Sequence, residues 1–133
     1  MKRIACVLLF AFSVLLTGCP DSGPKAPATA KVSGTVTLDG QPLASGEVRF
    51  NAAAQPVRTL EVKDGAFSGE VFVGKNQVDV VSEKDGPPHP MDPKTKLKVN
   101  VVDPKFAGLN SPFKPDIAAS GATDLKFDVT SAK

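Results

Sequence analysis

From Lys31 to Phe50 the chain reads Lys-Val-Ser-Gly-Thr-Val-Thr-Leu-Asp-Gly-Gln-Pro-Leu-Ala-Ser-Gly-Glu-Val-Arg-Phe, and this stretch constrains the fold more than any other. Val32, Gly34, Val36 and Leu38 fall on one side of a period-two pattern, and Ser33, Thr35 and Thr37 on the other. A period of two belongs to a β-strand with one buried face and one wet face. Asp39-Gly40 stops the run and Pro42 has no N–H to give a ladder. Gly46 then leads into a second alternating run at Val48 and Phe50.

The pattern continues along the chain. Strands are expected over Lys31–Leu38 and Glu47–Asn51, then over Val57–Val62 with Leu60 and Val62 inward. Lys63-Asp64-Gly65 is a tight-turn signal, and Ala66–Val73 returns with Phe67, Gly69, Val71 and Val73 inward; Asp-Gly between two alternating runs marks a hairpin. Gly74-Lys75-Asn76 turns the chain into Gln77–Ser82, which offers Val78 and Val80 to the core. Glu83–Lys96 contains four prolines and reads as a long exposed loop. Leu97–Val102 resumes the alternation with Leu97, Val99 and Val101 inward, and 103–112 is irregular. Phe113–Ala118 is a weak strand that Pro115 assigns to an edge. Thr123–Thr130, with Leu125, Phe127 and Val129, closes the pattern. Seven or eight short strands without a helical period imply an all-β sandwich or barrel.

The first residues obey different rules. Lys2 and Arg3 precede the apolar run Ile4–Leu16, which is short for a bilayer span and suited to a secretory signal. The run ends in Leu16-Thr17-Gly18-Cys19, which resembles a bacterial lipobox. The resemblance implies cleavage before Cys19, a diacylglyceryl group on its thiol and an acyl chain, palmitate for instance, on its new amine. The expected organisation is a signal peptide over 1–18, a lipidated Cys and tether over 19–30, and a sandwich domain over 31–133. Such a protein would sit in the cell envelope, membrane-anchored outside the cytoplasm, with inner and outer membrane both open. Cys6 falls in the signal, so Cys19 is the single cysteine of the mature chain and no internal disulfide is expected. Pro20–Ala30 is small, Pro-rich and aperiodic, an extended tether reaching roughly 30 Å at ~3 Å per residue.

Charge narrows the partners. The chain has 16 basic and 14 acidic side chains, and loss of Lys2 and Arg3 leaves the signs balanced. No basic face for nucleic acid is visible, and the absence of Trp and Tyr removes stacking platforms for bases or sugars.

Several motifs together resemble a known family. Gly34-x-Val36 followed by Gly40-x-Pro42-Leu43-x-x-Gly46-x-Val48-x-Phe50 is similar to the opening of carboxypeptidase regulatory-like domains, a transthyretin-like (prealbumin-like) β-sandwich. Asp64-Gly65-Ala66-Phe67, Gly74-Lys75-Asn76-Gln77-Val78, Pro104-Lys105-Phe106 with Asn110-Ser111 and Phe113, and Asp124–Val129 resemble its later marks in order. Phe106 stands where Tyr is usual and Ala107 where Asn is usual. The resemblance implies a seven- to eight-stranded sandwich and a module that accompanies catalytic domains without being catalytic.

The residues themselves offer little chemistry. The single His, His89, lies between prolines, Cys19 should be acylated, and Asp39, Asp64 and Asp85 each precede Gly, where Asp serves turns. No catalytic residue and no cofactor is expected. His89-Pro90-Met91-Asp92 carries ligand types that suit copper but is an incomplete metal set, and no calcium-loop spacing occurs. Lys94, Lys96 and Lys98 share one strand face by alternation. The expectation is therefore a non-enzymatic interaction or scaffold module. Its partner, another envelope protein, would be met by His89, Met91, Lys94 and Lys96 in and beside Gly86–Pro93. The alternative is a ligand-binding module for a metal or a carbohydrate.

Overall fold

Two Asp-Gly pairs set the local geometry. In the computed structural model, which describes residues 26–133, Asp39 and Gly40 have φ of 51° and 81°, and Asp64 and Gly65 have φ of 50° and 77°. Two successive positive φ angles are what a type I′ hairpin turn requires, and Asp and Gly tolerate them. The first pair joins β1 (Thr29–Leu38) to the short β2 (Gln41–Pro42), and the second joins β4 (Arg58–Lys63) to β5 (Ala66–Phe72). The second turn is bonded to the hairpin that the first turn closes. Val36 N–H donates to the Gly65 carbonyl at 2.7 Å, and Gly65 N–H to the Leu43 carbonyl at 2.7 Å. A Cβ on Gly65 would stand 2.7 Å from Cβ of Pro42, so this junction admits no side chain.

The remaining strands among the described residues are β3 (Ser45–Ala52), β6 (Gly74–Val81), β7 (Glu83–His89), β8 (Asp92–Asn100), β9 (Asp116–Ile117) and β10 (Ala122–Val129). The main sheet runs β10-β1-β5-β4-β3-β6-β9, with β2 beside β1. Between β4 and β5 only Lys63 and Ala66 pair, so the sheet parts there into two layers, β10-β1-β5 and β4-β3-β6-β9. The two layers face each other as an all-β sandwich. β10 runs parallel to β1, with Val36 opposite Phe127 and a shift in register between Val32 and Gly34.

The inward side chains are those the alternation marks: Val36, Phe67, Val71 and Phe127 from one layer, Val48, Phe50, Val62, Val78 and Val80 from the other. Phe50 lies 6.2 Å from both Phe67 and Phe127, ring to ring across the layers. Phe113 packs 4.9 Å from Phe127 and stacks on Phe106 at 5.6 Å. This aromatic cluster joins the layers.

Four expectations need correction. β1 begins at Thr29 rather than Lys31, because Ala30 is buried and pairs with Val71. Val57 is half exposed and β4 starts at Arg58. Of Phe113–Ala118 only Asp116 and Ile117 form a strand, on the free edge of β6. The largest difference is at 83–100, where the expected loop and inward strand are both parts of a separate two-stranded sheet, β7-β8. Cys19 and most of the tether lie outside the described residues.

Candidate functional site

The β7-β8 hairpin is an arm. β6 passes through Ser82 directly into β7, and β8 returns to Val101, so both strands leave the sandwich at the end where β1 turns into β2. The buried core includes Val80 and Val102 but no hydrophobic residue of 83–101. Nine residues of β8 at about 3.3 Å each make an arm roughly 30 Å long.

Its root is tightly bonded. Oδ1 of Asn100 accepts from the backbone N–H of Ser82 and of Val102, both at 3.1 Å. Ser82, itself buried, donates its hydroxyl to the Ser45 carbonyl at 2.8 Å. Val101 N–H donates to the Ser82 carbonyl at 2.8 Å, and Ala132 N–H to the Val101 carbonyl at 2.8 Å. Beside this root the Asp39 carboxylate accepts from Ser131 N–H at 3.0 Å, which holds its pKa below the ordinary carboxylate value.

Along the arm, Asp85 on β7 lies opposite Lys98 on β8. Nζ of Lys98 donates to Asp85 at 2.6 Å and Nζ of Lys96 stands 3.7 Å from the same carboxylate. The hydrogen bond and charge of Lys98 lower the Asp85 pKa, and Asp85 raises that of Lys98. Asp85 is therefore a strand residue in an ion-pair group, and the expectation of a turn residue there is corrected. The other face presents Leu97 and Val99, 37% and 46% exposed, where an inward position was expected. Gly86 lies beneath Val99, and a Cβ on it would come within 2.6 Å of Val99 Cγ2.

The arm carries all four expected contact residues. His89 and Asp92 pair across the two-residue tip Pro90-Met91, and Met91 is 91% exposed. Nδ1 of His89 accepts from Met91 N–H at 3.2 Å. The Asp92 carboxylate accepts from Lys94 N–H at 3.1 Å and from the Thr95 hydroxyl at 2.8 Å. Polar atoms of the His-Pro-Met-Asp stretch are thus engaged in shaping the tip. Among the described residues no group of three or more His, Cys, Asp or Glu is arranged to hold a metal. Lys94 and Lys96 lie exposed on β8. Sequence reasoning missed Asn100, assigned Asp85 to a turn, and placed Leu97 and Val99 inward. Asn in a strand could have been noticed as an anomaly, because strands disfavour it.

No family model and no curated protein matches the chain. Among solved structures it is similar to a DUF3823 family protein from Parabacteroides merdae, with 20% identity, a TM-score of 0.40, and coverage of 79% of this chain and 47% of that one. It is also similar to a DUF3823 family protein from Bacteroides ovatus, with 18% identity, a TM-score of 0.39, and coverage of 77% and 44%. The chain thus spans less than half the length of either.

Proposed function

We propose that this protein is a membrane-anchored, non-enzymatic lipoprotein of the cell envelope, whose sandwich presents the β7-β8 arm to another envelope protein. In this reading the sandwich is a transthyretin-like module of the carboxypeptidase regulatory-like kind, and Cys19 carries the lipid. Three acyl chains on Cys19 exceed the two signals that stable attachment needs.

The observation that carries the reading is an arm rooted by partly buried hydrogen bonds that adds no hydrophobic residue to the core. Holding a residue in one backbone conformation costs about 1–2 kcal/mol, and an isolated hairpin is marginal in water. An arm of this length, with apolar residues on one face and charges on the other, gains its burial when a partner covers it. Its prolines lower the entropy lost in that step. Contact would centre on His89, Met91, Lys94 and Lys96 at the outer end, with Leu97 and Val99 behind them.

The test replaces Gly86–Pro93 with a short Gly-Ser linker. Folding and membrane attachment should persist, since no core hydrophobic residue is removed, while capture of the envelope partner by crosslinking is lost. Unfolding of the variant would mean that the arm is structural cover for the sheet. Undiminished capture would move the contact to another surface, with the β9 edge as the next candidate.

A further inference from the structure

We propose that the end of the sandwich opposite the arm is a docking face for anionic lipid headgroups, so that the domain stands on its membrane with the arm outward. The proposal rests on the anchor reading above and adds an orientation to it. Strand directions define the two ends. The Ala28 carbonyl accepts from Val73 N–H at 2.9 Å, and Thr29 pairs with Phe72, so the chain enters beside Gly74, where β6 begins. β6 and β7 then carry the chain away from this end to the arm tip. The sixteen residues from Gly74 to His89 span at most about 50 Å at ~3.3 Å each.

At the entry end an open cleft of about 690 Å³ is lined by Lys75, Lys114 and Leu109, with Asp116 the one acid among its lining residues. Leu109 is 89% exposed at the crest of a 3-10 turn, and Val57, 51% exposed, lies at the same end before β4. Arg58 lies next to Val57 and stands over the Phe72 ring at 4.7 Å. Among the described residues Arg58, Lys75 and Lys114 form no ion pair within 4 Å, whereas Lys96 and Lys98 on the arm share Asp85. Basic side chains around protruding apolar ones suit an anionic bilayer surface, where each cation near the headgroups adds to attachment and apolar groups enter the interface. The tether arrives at this same end. Once attached at Cys19, the domain meets the bilayer with these residues at high effective concentration, so even a weak surface contact is populated.

The experiment uses the mature lipidated chain, in which the diacylglyceryl group occupies the sulfur of its single cysteine, so a second cysteine labels uniquely. A fluorophore at Asn110→Cys, next to Leu109, is compared with one at Met91→Cys on the arm tip. Vesicles contain either phosphatidylcholine alone or equal parts phosphatidylcholine and phosphatidylglycerol, with a quencher on the lipid headgroups. Flotation with both vesicle types should show the anchor in place. On anionic vesicles the label at 110 should be quenched and that at 91 should not, and Lys75→Glu with Lys114→Glu should abolish the quenching without loss of flotation. Flotation without quenching at 110, equal quenching at 91, or quenching that survives the double exchange would each overturn the docking face and leave the anchor standing. Failure to float on phosphatidylcholine alone would overturn the anchor and the orientation with it.

Discussion

At the scale of single residues, one side chain at the root of the arm serves two backbone donors. Asn100 Oδ1 accepts from Ser82 and from Val102, and each donor lies where the chain passes between sandwich and arm. Asn100→Ala leaves both partly buried N–H groups without that acceptor; a fully buried unsatisfied donor costs about 1–3 kcal/mol, and partial access to water puts this loss toward the lower end. Urea unfolding should report a loss in that range, smaller than the ~3–5 kcal/mol expected for Phe127→Ala in the aromatic cluster. Amide exchange in the Asn100→Ala protein should rise first in β7 and β8. The role of Phe127 is legible in the sequence, because its alternating neighbours Leu125 and Val129 give it a face. That of Asn100 is not, because its partners are backbone groups that only the fold brings near.

At the scale of elements, the arm and the sandwich follow different rules. The sandwich strands could be read from alternation because a covered face needs apolar residues at every second position. Leu97 and Val99 obey the same alternation, yet their face is uncovered, and periodicity alone does not distinguish a face buried by this chain from one left open. The prolines misled in the opposite direction. Pro87 and Pro88 fall where the β7-β8 register shifts, and both strands of a two-stranded sheet are edges, so a missing N–H is tolerated. The arm adds an exposed ion-pair group, Asp85 with Lys98 and Lys96, to its ladder and root hydrogen bonds, and this group gives it a small pH dependence of its own. Asp85 has its folded pKa below the ordinary 3.8, so its contribution is complete above that value and is lost as pH falls through the lower folded value. Lys98 has its folded pKa above the ordinary 10.5, so its contribution is complete below that value and is lost as pH rises through the higher one. Exchange protection of the arm should be level between these limits and fall in acid while the core strands remain protected. Equal loss in both elements would contradict this separation.

At the scale of the whole molecule, the strand directions give the domain two unlike ends. One receives the N-terminal segment and carries Leu109, Lys75 and Lys114, and the other bears the arm. On the proposal that Cys19 of the Leu16-Thr17-Gly18-Cys19 box carries a lipid, this polarity becomes an orientation relative to a membrane. Without a lipid on Cys19 the arm has no outward direction, and the entry end has no surface at hand. Cys19→Ser should accordingly block processing. The most direct measurement is the intact mass of the mature protein recovered by detergent from cell membranes. A chain that begins at Cys19 and carries a diacylglyceryl group and an amide-linked acyl chain is the predicted result. A soluble mature chain with an unmodified Cys19 would contradict the account.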